Sequence, residues 1–246
     1  MTVRDILSSL VELLAPTRCA ACGRPGHPIC ATCASCLETP SGPRCATCRQ
    51  LTSIDLQRCP ECPGARLECV HGFGYQGPLP EIIHALKDRS RTDLARPLAE
   101  LVAREVDPLP GGTVLVPVPL SARRLRERGY NQAELLAVAL GREWGLPVRD
   151  LLVRTRDDPH QRGAGRDARA KQVRGAFAAR TGTDVRRVAL VDDVHTTGAT
   201  LAACARSLRA TGVNAITAIA VARVWPSYPS LDTVRHRSDT GDEESD

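Results

Sequence analysis

VALVDDVHTTGAT, residues 188–200, is the stretch whose reading decides the fold. Val188 to Val191 is an aliphatic run of the kind that parallel sheets bury on both faces. It ends on two adjacent carboxylates, Asp192 and Asp193, and a turn of Thr196, Thr197 and Gly198 follows. Beyond the turn, LAACARSLRA (201–210) places Leu201, Cys204, Ala205 and Leu208 on one helical face, and Gly212 closes the helix. VNAITAIAVARV (213–224) then reads as another buried strand. Strand, helix and strand joined by short links predict a parallel, right-handed unit.

A parallel sheet takes its ligand at the carboxyl ends of its strands. Gly198 permits close backbone approach there, and the amides of Thr196 through Thr200 converge at a helix N-terminus whose dipole favours an anion. Two acids beside that cradle repel a phosphate, so they serve another part of the same ligand. Vicinal ribose hydroxyls fit, because carboxylates accept hydrogen bonds from them. The ligand class is a ribose 5-phosphate. The Gly-Lys-Thr of a nucleotide P-loop is missing, which argues against a triphosphate.

The neighbouring segments extend the same α/β pattern. PLPEIIHALKDR (78–89) reads as a helix begun by proline, and TVLVPVPL (113–120) as a strand end bending into a loop. SARRLRERGYNQ reads as an Arg-dense connection, AELLAVALGREW as a helix from Leu135 to Trp144, and LPVRDLLVRT as a short strand. Residues 156–177 form a long polar loop with the composition of a lid or a disordered segment. Gly72, Gly74 and Gly77 match Gly-x-Gly-x-x-Gly, but Phe73 and Tyr75 stand where a phosphate turn is needed, so a nicotinamide site is rejected.

Ten of the eleven cysteines precede residue 70, most in Cys-x-x-Cys pairs. In a chain without a secretory leader such pairs point to structural zinc, since two turns complete a tetrahedral set of thiolates. The simplest pairing is Cys19, Cys22, Cys30 and Cys33 for one site and Cys45, Cys48, Cys59 and Cys62 for the other. Cys36 is an alternative that displaces Cys30 from the first. Cys204 shares the apolar helix face and reads as core. MTVRDILSSLVELLAP carries Asp5 and Glu12 inside its apolar stretch, so it reads as a short amphipathic helix over 1–17 rather than a signal peptide. No apolar run reaches the roughly 18 residues of a membrane span, and the expected location is cytoplasmic.

The net charge of +5 conceals an acidic tail: residues 227–246 hold six acids against two arginines, and are expected to be disordered. The rest is basic almost wholly through arginine. A phosphate-rich partner and a merely Arg-biased solvated surface explain this equally well. Aromatics are only 3% of the chain, which weighs against a stacking platform for single-stranded nucleic acid.

The stretch 188–200 resembles the signature of type I phosphoribosyltransferases. The wider chain is similar to the ComF-type competence family in its Cys-rich start, GPLPEIIHALK, LVPVPLSARRLRERGYNQAELLA, the Gln161–Phe177 segment ending RGAF, and the signature itself. The resemblance implies a type I phosphoribosyltransferase fold with a parallel central sheet over 70–226, preceded by a double zinc ribbon over 18–69. It implies phosphoribosyl pyrophosphate and magnesium as ligands. Asp192 and Asp193 would then bind the ribose hydroxyls, and Thr196, Thr197, Gly198, Ala199 and Thr200 the 5′-phosphate. Val116, Pro117, Val118 and Pro119 resemble the pyrophosphate loop, where backbone amides meet the leaving group. Lys87, Arg123, Arg124 and Arg128, with Arg166, Arg169 and Lys171 on the 156–177 flap, are candidates to neutralise pyrophosphate; for Lys87 and the arginines a solvated face is an equal alternative. The position of Thr196, acidic in purine-salvage relatives, holds no proton acceptor here. His195 stands where the family is usually apolar, and its direction is left open. The implied context is DNA uptake. The competing reading is a non-catalytic competence factor that binds single-stranded DNA and a helicase partner.

Overall fold

The computed structural model describes residues 16–39, 42, 45, 67–156, 175–180 and 184–224. Outside them lie nearly all of the expected 1–17 helix, Cys48, Cys59 and Cys62, the flap residues Arg166, Arg169 and Lys171, and the 227–246 tail. Within them the chain runs through α1 (Ala31–Ser35), β1 (Glu68–Gly74), α2 (Leu79–Asp88), a 3-10 turn (Thr92–Leu94) and α3 (Ala95–Glu105). Then come β2 (Val114–Pro117), α4 (Ala122–Arg128), α5 (Gln132–Trp144), β3 (Leu152–Arg154), β4 (Phe177–Ala179), β5 (Arg187–His195), α6 (Ala199–Arg209) and β6 (Ala215–Arg223).

Four strands make one parallel sheet in the order β1-β6-β5-β2. The inner strands β5 and β6 are covered on both faces, which is why VALV and AIAV carry no polar alternation. Period-two geometry divides β5 between two cores. Val188 and Leu190 pack with Leu201, Cys204 and Leu208 of α6, while Ala189 and Val191 pack with Ile82, Leu98 and Leu136 of α2, α3 and α5. Cys204 is fully buried, as its helix face predicts.

Three local outcomes differ from the pattern reading. The aromatic and glycine mix at 68–74 forms an edge strand, β1, so Gly72 and Gly74 lie inside a ladder rather than in a phosphate turn. A Cβ on Gly72 would meet Val102 Cγ2 at 2.8 Å, so this glycine lets α3 rest against the sheet. The Arg-dense connection at 121–132 contains α4. Its period is faint because Leu125 is its one large apolar residue, but its ends carry the signal. Ser121 Oγ accepts the Arg124 amide at 3.3 Å, and Gly129 takes φ +82° at the C-cap. Last, the strand expected across 146–155 shortens to β3, which pairs antiparallel with β4 in a separate two-stranded sheet. The Thr155 amide donates to Ala176 O at 2.9 Å and its hydroxyl to Gly175 O at 3.0 Å, which joins the residue after β3 to the two before β4.

The first cysteine set is resolved in favour of Cys30. The sulfurs of Cys19, Cys22, Cys30 and Cys33 lie within 4.8 Å of one another, and Cys36 stays outside. Cys45 is buried. The four-cysteine turn packs on the α/β body through Ala20, Ala21, Ile29 and Leu37. Glu38 O accepts the Gly74 amide at 2.9 Å, Arg91 Nη2 donates to Arg18 O at 3.0 Å, and Thr39 Oγ1 donates to Glu105 Oε2 at 2.7 Å. Among the described residues no helix is long and apolar enough to cross a membrane.

Candidate functional site

A cavity of about 910 Å³ opens beyond the carboxyl ends of β2 and β5. β5 and its turn contribute Asp192, Asp193, Thr196, Thr197, Ala199 and Thr200. Lys87 enters from the last turn of α2, and Arg123, Arg124 and Arg128 from α4. Val118 and Pro119 also line it, but Val116 and Pro117 are buried inside β2. The amide donors expected of this stretch are not available: Pro117 and Pro119 have no N–H, and the Val118 amide donates to Val191 O at 2.9 Å. The stretch shapes a wall, and guanidinium groups from α4 stand beyond it.

β5 continues through both acids to His195; the strand's alternation starts their side chains on opposite faces, yet both carboxylates line the cavity where the strand ends. Asp193, buried, faces the α2 side and forms an ion pair with Lys87 Nζ. Asp192 accepts the Asp193 amide on Oδ1 at 2.9 Å. Burial pushes the Asp192 carboxyl up to about 6, with the Lys87 charge opposing. Burial likewise pushes the Lys87 ammonium down to about 8, with Asp192 opposing and Arg128 and Arg124 adding to the shift. Lys87 therefore sits between the acid pair and a ring of cations.

That ring includes a residue the sequence reading missed. Arg154, at the end of β3, lines the cavity with its guanidinium 5.3 Å from the centroid of the Phe177 ring. Burial and the charges of Arg154, Arg128 and Arg123 hold Arg124 below its usual range, an arrangement that an anion would relieve. Arg128 is tied to Asp88 at 3.2 Å and to Gln132. Tyr75 and Val224 also line the cavity without having been expected there; each follows directly on the end of a strand, which was the available signal.

Between β5 and α6 the turn closes through Gly198 at φ +72°, and Gly198 O accepts the Ala202 amide at 2.9 Å, the first hydrogen bond of α6. One of the five amides expected to face an anion already has a partner: Ala199 N donates to Thr197 Oγ1 at 3.4 Å. His195 turns away from the cavity. It is 1% exposed, and its Nδ1 lies 2.6 Å from Nε2 of His71. Burial, with the Arg223 and His71 charges, holds His195 well below its usual range, so it is neutral near pH 7. Its Nε2 sits directly under Gly198, where a Cβ would come within 2.6 Å of it.

No family model matches the chain. It is 30% identical over 220 residues to the DNA utilization protein YhgH of Escherichia coli K12, covering 83% of this chain and 96% of that protein. It is 32% identical over 206 residues to Competence protein F of Haemophilus influenzae, covering 78% and 90%. The chain belongs to the ComF-type competence family. Competence protein ComFC of Bacillus subtilis is 36% identical over 96 residues, 39% of this chain and 38% of that one. Among the described residues of this ComF-type chain, thiols and charged side chains gather at two places. Four thiols at the N-terminal side can hold a metal ion. Acids, hydroxyls and guanidinium groups meet at the carboxyl edge of the sheet.

Proposed function

We propose that this ComF-type protein binds phosphoribosyl pyrophosphate with magnesium and transfers the phosphoribosyl group to a nitrogen acceptor, releasing pyrophosphate, in the setting of DNA uptake. The observation that carries this reading is the junction of the two acids with the threonine–glycine turn in one cavity ringed by Lys87, Arg123, Arg124, Arg128 and Arg154. Asp192 and Asp193 accept hydrogen bonds from the ribose hydroxyls. The 196–200 turn receives the 5′-phosphate at the N-terminus of α6. As the bond from the anomeric carbon to the pyrophosphate oxygen breaks, the guanidinium groups and Lys87 stabilise the growing charge on the leaving group. The acceptor nitrogen must also lose a proton, and Thr196 cannot take it, so the acceptor is a nitrogen that needs no base at that position. Asp192 and the pyrophosphate oxygens are the hard oxygen donors magnesium prefers, and when bound it supplies further charge neutralisation there. Incubation with phosphoribosyl pyrophosphate, magnesium and a pool of bases is expected to release pyrophosphate; no release with any base, and no binding by calorimetry, refutes the reading.

The raised Asp192 carboxyl carries a stability signature. Its folded-state pKa lies above the unfolded value, so its favourable contribution is complete below about pH 4 and is lost as pH rises through about 6. At pH 7.5 the protein therefore carries a cost that Asp192→Asn removes. The expected gain is about 2–4 °C in Tm, roughly 1 kcal/mol, and it vanishes near pH 4. An equal gain at both pH values would show that the carboxyl is not desolvated.

For the first cysteine set we assign zinc. A tetrahedral thiolate site with bonds of about 2.3 Å spaces its sulfurs about 3.8 Å apart, and Cys22 Sγ and Cys30 Sγ stand 3.7 Å apart. Cys30 N also donates to Cys19 Sγ at 3.5 Å. Zinc content by atomic emission is expected to fall by one equivalent in Cys30→Ser and to stay unchanged in Cys36→Ser; the reverse result would reassign the set.

The names of the relatives, competence and DNA utilization, support a DNA-related role; the runner-up reading is a non-catalytic factor whose basic surface contacts single-stranded DNA, with the helicase partner that the family resemblance implies. Such contacts give a steep salt dependence that is independent of base sequence. A flat salt titration removes this reading.

A further inference from the structure

We infer that Arg223, a residue outside the cavity, is a positioning residue for anion binding: it sets the direction of the amides that meet the 5′-phosphate. The inference rests on the reading of the 196–200 turn as a phosphate cradle.

Arg223 ends β6, in register with His195 of β5 and Gly74 of β1, and is 2% exposed. From beneath the turn, its Nη1 donates to Thr196 O and, at 3.5 Å, to His195 O. His195 O also accepts the Val224 amide at 3.0 Å. In a trans peptide the carbonyl and the following N–H point in opposite directions. Drawing Thr196 O down toward the buried guanidinium therefore turns the Thr197 amide up, toward the side on which Thr196 and Thr197 line the cavity. The same constraint on His195 O turns the Thr196 amide. An extended strand would alternate these two donors; one guanidinium nitrogen holding two consecutive carbonyls makes them neighbours instead.

This arrangement answers why a cation lies below a turn rather than in it. Successive amides facing one way, followed by the left-handed Gly198, form a concavity that accepts an anion. Left alone, those parallel peptide dipoles repel one another, and a charged donor on their carbonyl ends offsets the repulsion. It also polarises the Thr196–Thr197 peptide, which strengthens its N–H as a donor. Arginine suits the task better than lysine because the N–H bonds of its guanidinium are fixed in one plane, so Nη1 can serve both carbonyls in set directions. The backbone of Arg223 is engaged as well: its carbonyl accepts the Tyr75 amide at 2.7 Å, so the same residue ties a cavity-lining aromatic to the sheet.

The test compares wild type, Arg223→Lys and Arg223→Met, each checked by thermal melting. Inorganic phosphate and ribose 5-phosphate are titrated by calorimetry and by backbone amide NMR. Both ligands are expected to bind about tenfold or more weakly to Arg223→Met, with Arg223→Lys between the two. The Thr197 amide resonance, shifted by phosphate in the wild type, is expected to stay in place in Arg223→Met. A merely structural arginine would lower Tm without silencing that resonance. A folded Arg223→Met with near wild-type phosphate affinity overturns the inference. Should Arg223→Met fail to fold, Arg223→Lys decides: unchanged affinity and an unchanged Thr197 response overturn the proposal. If the wild type binds phosphate but not ribose 5-phosphate, the sugar reading fails while the role of Arg223 is still judged on phosphate. If the wild type binds neither, the cradle and this inference fall together.

Discussion

Asp192→Asn combined with Asp193→Asn is expected to weaken ribose 5-phosphate binding by roughly a hundredfold to ten-thousandfold, because each lost charge-assisted acceptor is worth about 1.5–3 kcal/mol. The single variants separate affinity from stability. Asp193→Asn leaves the Lys87 ammonium, only 25% exposed, facing a neutral amide, so it lowers Tm as well as affinity. Asp192→Asn relieves a desolvated carboxylate, so it lowers affinity while raising Tm at neutral pH. Calorimetry with the sugar phosphate and thermal melts on the three variants provide both readings. Near wild-type affinity in the double variant would mean that the acids do not touch the ligand. A fall in Tm for Asp192→Asn at pH 7.5 would mean that Asp192, not Asp193, is the acid on which Lys87 depends.

Gly198→Ala is expected to cost about 2–5 kcal/mol. Roughly 1–2 kcal/mol comes from a Cβ in the left-handed region, and about 1–3 kcal/mol from overpacking. The overpacking has a named partner: the new Cβ would lie 2.6 Å from His195 Nε2. The same change displaces the Thr196–Thr197 peptide, so phosphate affinity is lost with the stability. His195→Ala has its own cost, since it takes from His71 the partner it has at 2.6 Å. In that background Gly198→Ala is expected to cost only the backbone share, about 1–2 kcal/mol. Denaturant melts on the four proteins of this cycle measure the difference. Equal costs in both backgrounds would show that His195 is not the floor of the turn.

How far these residues were legible depends on the range of the interactions that place them. The acid pair, Thr196, Thr197, Gly198, Ala199 and Thr200 are contiguous, so strand end, turn and helix start appear in a single quotation. α4 was legible in principle from Ser121 and Gly129, which cap it, although its arginines hide its period. β1 was not, because its pattern answers to Val102 of α3 and to β6, not to solvent on one face. Arg154 carried a faint signal as the last residue of a strand before a long loop. Its place over Phe177 depends on β4, which lies more than twenty residues further along the chain and pairs with β3.

Two expectations changed when the tertiary contacts became visible. The resemblance implies amide donors at 116–119, but the sheet uses the Val118 amide and proline removes two others. The sequence gives His195 no direction; the sheet brings His71 of β1 within hydrogen-bonding distance of it, and the ring lies under the glycine. Amide accounting and side-chain direction at a strand end are set by neighbouring strands, and those come from distant parts of the chain.

The amino-acid sequence by itself determined the α/β class, the parallel strand–turn–helix unit at 188–209, the threonine–glycine turn that follows its two acids, and the Cys-x-x-Cys pairs from which the Cys19, Cys22, Cys30 and Cys33 cluster is built. Each follows from spacing within a few residues, where backbone geometry leaves little choice. Only the tertiary structure decided that Cys30 rather than Cys36 completes the first set, that Lys87 neutralises Asp193, and that Arg223 sits under the turn. Those outcomes depend on which groups share a low-dielectric interior, and the strength of a charge or hydrogen bond there is set by neighbours that chain order does not reveal.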